Sequence, residues 1–149
     1  MNIHLLIESM QKLLKLHKSL QELSLKKTGI LEAEDIQALT QLLKEEQAHI
    51  LAIEKIEAER SRAAAGRKLN ELLEEVPEQQ KGMLEEISGE LRNVISSIQS
   101  QNKLNQDLIS QFLKFISFSM SIVEPPQDDY NYGPNETGIQ GKSLFSSKA

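Results

Sequence analysis

The sequence predicts an all-α protein with an antiparallel hairpin of two long helices, a long third helix and a disordered carboxyl-terminal tail. The composition is rich in Leu, Glu, Lys, Gln, Ile and Ser and poor in Val and Thr, which favours helix over sheet. Apolar residues recur at three- and four-residue steps as far as residue 123, the spacing of one helix face. Three of the four prolines come after residue 124, where this periodicity stops. We therefore expect a helical bundle domain over residues 1–123 and a flexible tail over residues 124–149.

The first helix is predicted by a row of apolar residues and by a glycine that ends it. Glycine just past a helix adopts the left-handed conformation at little cost, so Thr28-Gly29 is expected to end the helix, with Ile30 folded back on its last turn. A second apolar row follows, and the short turn between them makes the two helices antiparallel neighbours. The rows are Leu6, Met10, Leu13, Leu16 or His17, Leu20 and Leu23, and then Ile36, Leu39, Leu43, Ile50, Ile53 and Ile56.

The last helix has the most regular apolar pattern in the chain. Gly66 is expected to interrupt the second helix, and "LNELLEEV" (69–76) to form a brief helix before Pro77, which suits the first turn of the next helix. A helix from about 78 to 123 would be roughly 65–70 Å long, so a shorter hairpin can cover only part of it. Its heptad seam comprises Leu84, Ile87, Leu91, Val94, Ile98, Gln101, Asn105, Leu108, Phe112, Phe115, Ser119 and Ile122.

Two amides, Gln101 and Asn105, interrupt this apolar seam. One explanation is register control, because a buried amide at a seam position disfavours misaligned packing at some cost in stability. The other explanation is that the bundle ends near these residues and that the seam beyond them faces a groove or a partner. The sequence leaves both explanations open.

Beyond the amides, the last helix is apolar around more than half of its circumference. Between residues 93 and 123 only Lys103, Asp107 and Lys114 are charged, and three of the four Phe lie within residues 112–118. Such a helix must be buried on more than one side, either in a core of its own chain or against a partner. We favour a partner surface, because Phe and Met suit adaptable anchoring of an amphipathic helix and a bare apolar patch is unusual in a monomer.

Composition and charge exclude several classes of protein. The chain has no cysteine, which excludes disulfides and thiolate zinc sites and favours a reducing compartment. The amino terminus lacks a signal-peptide pattern and no segment reaches the roughly 18 apolar residues of a membrane span, so we expect a cytosolic protein without membrane insertion. A net charge of −5 argues against nucleic-acid binding. The lysine-rich first helix is expected to match the acidic helix beside it rather than a membrane surface.

The one pattern that suggests metal chemistry is Glu46-x-x-His49, which has the spacing of half a di-iron carboxylate site. That site needs a second such pair, and neither His4 nor His17 has a Glu three residues before it. No phosphate-binding glycine loop and no nucleophile with a recognisable base is present. We therefore expect no metal, no cofactor and no enzymatic activity.

The tail contains both tyrosines of the chain, Tyr130 and Tyr132, in "DDYNYGPNETG". A tyrosine in such a segment is often without a special role. It can also anchor a short linear motif, because its ring offers a large contact area at low conformational cost.

Three segments together resemble the FlgN-type chaperones of flagellar type III secretion, which escort hook-filament junction proteins to the export apparatus. "LTQLLKEEQAHILAIEKIEAERSR" (39–62) is similar to the leucine-rich second helix of that family. "NKLNQDLISQFLKF" (102–115) is similar to its Asn-plus-aliphatic last helix, and "NYGPNETG" (131–138) to its tail. The first helix carries little of the family pattern.

The resemblance implies a non-enzymatic export chaperone whose last helix binds the amphipathic terminal helix of a client. It also implies that Tyr132, or as second choice Tyr130, contacts the cytosolic domain of the export gate. The alternative is a structural coiled-coil protein that forms a homodimer through its last helix. The client-binding residues that the resemblance implies are Asn105, Leu108, Ile109, Phe112, Phe115 and Ile116.

Overall fold

Four helices account for most of the chain that the computed structural model describes, residues 2–123. They are α1 (Ile3–Glu32), α2 (Ile36–Ala63), α3 (Leu69–Leu73) and α4 (Glu78–Val123). No strand occurs in these residues, which confirms the all-α prediction. The predicted flexible tail, 124–149, lies outside the described residues.

The turn between α1 and α2 lies farther along the chain than the sequence predicted. α1 continues through Gly29, whose carbonyl oxygen accepts a hydrogen bond from the backbone N–H of Ala33 at 3.0 Å. The left-handed residue is instead Glu34, with φ 55°, and the Asp35 side chain caps α2. The predicted stop at Gly29 is therefore wrong, as is the folded-back Ile30. The extra turn brings Leu31 into a buried position, which offsets the modest cost of glycine inside a helix.

The connection from α2 to α4 agrees with the sequence. α2 ends at Ala63, and the left-handed residues Ala65 and Gly66 turn the chain into the five-residue helix α3. Pro77 immediately precedes α4, and its carbonyl oxygen accepts the first helical hydrogen bond from Lys81 at 2.9 Å. The start predicted for the last helix matches that of α4, which continues to Val123, the last described residue.

α1 lies between α2 and α4 and approaches both along its length. Lys18 pairs with Glu90, and farther along both helices Ser24 bonds to Asn105. Residue numbers therefore rise together in α1 and α4, which makes these two helices parallel. α2 is antiparallel to both, so the topology is up, down, up.

Two apolar clusters form the core. The first closes the end of the bundle where α1 and α4 begin, and the second lies halfway along α1. The buried members of the first are Leu6, Ile7, Met10, Ala63, Ala64, Leu72, Val76, Leu84 and Ile87. Those of the second are Leu20, Leu23, Leu42 and Ile98.

α4 extends past the end of the hairpin. Asn105 lies level with Ser24 and Thr28, and α1 ends only a turn or two later, at Glu32. The residues of α4 that follow the buried Phe112, 113–123, therefore project roughly 15 Å beyond the hairpin at 1.5 Å per residue.

The revised turn can be tested with two glycine substitutions. Gly29 has a helical conformation with no atom within 4 Å of the position of an added Cβ, so Gly29→Ala is expected to raise the free energy of unfolding by about 0.5–1 kcal/mol. Gly66→Ala is the matched control. Gly66 has a φ of +72°, which strains any residue with a side chain, so this substitution is expected to lower the free energy of unfolding by about 1 kcal/mol. Urea denaturation followed by circular dichroism measures both. If Gly29→Ala instead lowers the free energy of unfolding, the result would support a helix that ends at Gly29, as the sequence predicted.

Candidate functional site

The projecting part of α4 carries most of its exposed apolar surface. Phe118 and Ile122 are 64% and 67% exposed, and Phe115 is 45% exposed. Together with Leu104 and Leu108, these residues follow one another at steps of three, four or seven, so they lie along one side of the helix. We call this set the α4 stripe. Met120, also exposed, lies on the opposite flank of the helix.

The six residues that the resemblance implied for client binding occupy three environments. Phe115 is exposed, whereas Leu108, Ile109 and Ile116 are half-buried. Asn105 and Phe112 are buried within the chain, with 1% and 5% of their surface exposed. A client could therefore reach four of the six without any rearrangement of the bundle.

Sequence reasoning did not select the most exposed residues of this segment. Phe118, Met120 and Ile122 lie beyond the segment 102–115 that carried the resemblance, and Leu104 lies within that segment but was not assigned to the client site. Their exposure depends on where α1 ends relative to α4. The sequence did contain one signal of this exposure, namely that the predicted last helix is longer than the helices of the hairpin.

The two seam amides bind the chain's own first helix. The Gln101 side-chain N–H donates to the Thr28 hydroxyl at 2.5 Å, and that hydroxyl donates to Asn105 Oδ1 at 2.6 Å. Asn105 Nδ2 in turn donates to the backbone oxygen of Ser24 at 2.9 Å. We call these three bonds the α1–α4 relay. They support the register explanation for the interrupted seam, because both amides meet polar partners on α1.

A buried ion pair joins α1 to α2 near the same level. Lys27 Nζ lies 2.5 Å from Glu46 Oε2, and the two side chains are 1% and 2% exposed. Burial lowers the pKa of the Lys27 ammonium to about 8, because the core solvates a charge poorly, while the adjacent carboxylate favours the charged form. The pair agrees with the predicted charge matching between the first two helices.

The residues of the possible metal half-site are engaged within the chain. Glu46 binds Lys27. The His49 ring lies with Nδ1 2.8 Å from the Glu45 carbonyl oxygen and Nε2 2.9 Å from the Ser19 hydroxyl, so both nitrogens have partners. Within residues 2–123, no three His, Cys, Asp or Glu side chains converge on a common point that could hold a metal ion.

None of the helices within residues 2–123 combines the length and the apolarity that are needed to cross a membrane.

Comparison with known proteins identifies relatives over nearly the whole chain. A family model described as "FlgN protein" matches residues 1–137. The chain is 28% identical over 160 residues to the "Uncharacterized protein YvyG" of Bacillus subtilis (strain 168), an alignment that covers all of both chains. No solved structure matches the chain.

The buried ion pair makes a testable contribution to stability. Glu46→Ala leaves a buried ammonium without its carboxylate and is expected to lower the free energy of unfolding by about 3–5 kcal/mol. The double variant Lys27→Met/Glu46→Leu removes both charges and is expected to unfold at the same urea concentration as the native protein or a higher one.

The exposed pair Lys12–Glu8 provides the control for that experiment. Glu8→Ala is expected to change the free energy of unfolding by less than about 0.5 kcal/mol, since both side chains are at least half exposed. A double variant at Lys27 and Glu46 that unfolds much more easily than the native protein would mean that the pair is a net source of stability.

Proposed function

Because the chain belongs to the FlgN family of flagellar export chaperones, we propose that it binds the amphipathic terminal helix of a hook-filament junction protein. In this role it keeps the client unassembled and protected from degradation until delivery to the export gate. The work is binding rather than catalysis, and it takes place in the cytoplasm.

The exposed α4 stripe is the observation that supports this proposal most directly. Phe115, Phe118 and Ile122 present side chains that water solvates poorly and that no other helix of residues 2–123 covers. A client helix with apolar residues at three- and four-residue steps can lie against such a stripe as one helix lies in a groove. Contact would cover apolar surface on both molecules, which favours binding and suppresses premature assembly of the client.

The length of the projecting segment limits the contact. About 15 Å of free helix corresponds to roughly three turns of a client helix packed alongside it. Lys114 is the one charged residue in the last ten positions of α4, residues 114–123, so the contact is mainly apolar. Affinity then depends on a few large side chains, as in other helix-in-groove interfaces.

Delivery requires a second contact, which we assign to the tail. Tyr132, or as second choice Tyr130, would bind the cytosolic domain of the export gate. Both tyrosines lie outside the described residues but inside the 1–137 range that the family model matches. Because the tail follows α4 directly, a chaperone docked by a tyrosine holds its client close to the gate. Competition at the gate then releases the client.

The same stripe supports an alternative of another class, a homodimer formed by the last helices of two copies. A permanent dimer covers the stripe and takes up no client. Light scattering with and without a client peptide separates the two possibilities, because a dimer keeps its mass whereas a chaperone gains the mass of the peptide.

The client site can be tested by placing a charge on the α4 stripe. Phe118→Asp is expected to weaken binding of a client terminal-helix peptide by about tenfold or more, since a buried carboxylate would replace a large apolar contact. Helicity should be unchanged, because Phe118 is 64% exposed in the free protein. Isothermal titration calorimetry measures the affinity.

Ser117→Asp is the matched control, since Ser117 is an exposed neighbour that lies off the stripe. Its affinity should stay within about twofold of the native value. Phe112→Asp is expected to unfold the protein instead, because Phe112 is 5% exposed. Equal affinity of the Phe118 and Ser117 variants would exclude the stripe as the client site.

The gate contact is tested separately. Tyr132→Ala is expected to leave client affinity unchanged and to weaken binding to the purified cytosolic domain of the export gate by about tenfold, because the tyrosine ring supplies the anchor. Tyr130→Ala is the comparison, with a smaller effect if Tyr132 is the anchor. A gate affinity that neither variant changes would remove the tail from the docking site.

A further inference from the structure

The apolar contacts between α1 and α4 do little by themselves to favour one axial alignment of the two helices over another. Apolar residues repeat along α4 every seven positions, so a slide of one heptad, about 10.5 Å, again places apolar residues against α1. A slide of α4 toward its own amino terminus would also draw the projecting segment into the hairpin. Phe115 would then take the half-buried place of Leu108. The hairpin therefore competes with a client for the projecting part of α4.

The α1–α4 relay distinguishes the native alignment from this slide. In the native alignment each polar group of the relay has a partner at 2.5–2.9 Å. After the slide, Phe112 would stand at the place of Asn105, opposite the Thr28 hydroxyl and the Ser24 carbonyl. Asn105 would stand at the place of Ile98, inside the apolar cluster of Leu20, Leu23 and Leu42.

A displaced Asn105 is costly because a buried amide without hydrogen-bond partners loses its solvation by water and gains nothing in return. Asn105 is 1% exposed in the native alignment, so its polar atoms depend on partners within the chain. The main cost of the slide is therefore the loss of the Asn105 hydrogen bonds when this residue moves into the apolar cluster.

We propose that Gln101, Thr28 and Asn105 are positioning residues, whose hydrogen bonds fix the axial alignment of α4 on the hairpin and so keep the projecting part of α4 outside the hairpin. They act on the client site without contacting the client. That these residues serve client binding rests on the proposed function, whereas the axial alignment of α4 can be measured without any client.

The alignment can be measured as a distance between two spin labels. The chain has no cysteine, so Glu32→Cys at the end of α1 and Ser121→Cys near the end of α4 give two unique sites, both exposed. In the native background, pulsed electron paramagnetic resonance should show one population. In Thr28→Val/Gln101→Leu/Asn105→Leu, a second population at a shorter distance is expected, because α4 moves about 10 Å along its axis, the rise of seven helical residues.

Two controls separate alignment from general loosening. A label pair at Glu22→Cys and Glu54→Cys joins α1 to α2, whose alignment the short turn fixes, and should give the same distance in both backgrounds. Ser19→Ala removes a different interhelical hydrogen bond, the contact with His49, and should leave the Glu32–Ser121 distance unchanged.

The outcomes decide the proposal in either direction. A helical triple variant with the single native distance would overturn it, because the apolar seam would then be sufficient for alignment. If the triple variant loses helicity, Asn105→Leu alone carries the test with the same labels and the same two outcomes. The triple variant could show the shifted distance while the native protein binds no client peptide. That result would support the alignment role and contradict only the proposed function.

Discussion

The length of α4 is the constraint on which the rest of the structure depends. α4 has 46 residues and α1, the helix that packs along it in parallel, has 30. Both helices begin at the closed end of the bundle, where Leu6 and Leu84 share one apolar cluster. The excess length therefore falls at the carboxyl end of α4. An apolar surface is exposed there because of helix lengths alone, without a cavity or a specialised loop.

Polar groups in the core limit the stability of the bundle while making its packing more specific. Lys27 and Glu46 lose hydration on burial, a cost that their mutual attraction has to offset. The relay amides occupy seam positions that leucine could fill with more favourable burial. Native proteins are stable by only about 5–15 kcal/mol, so such costs are significant, and a unique arrangement of the helices is a physical reason for them.

An exposed apolar helix has to avoid nonspecific association. Toward the carboxyl end of α4, small hydroxyl residues are interspersed among the apolar ones, namely Ser110, Ser117, Ser119 and Ser121. Lys114 adds a charge in the same segment. All of them except Ser119 lie three or four residues apart and so share one side of the helix, where they form a polar strip that helps the adjoining apolar surface to remain in water.

The sequence by itself determined the helical class, the brief helix before Pro77 and the start of α4, because periodicity and proline act within a few residues of the chain. It did not determine that Gly29 continues α1, since burial of Leu31 outweighs the preference of glycine for a helix end. The partners of Lys27, Gln101 and Asn105 were likewise decided only by the tertiary structure. They are contacts between residues that lie 19 to 81 positions apart, and local patterns carry no information about how far one helix extends along another.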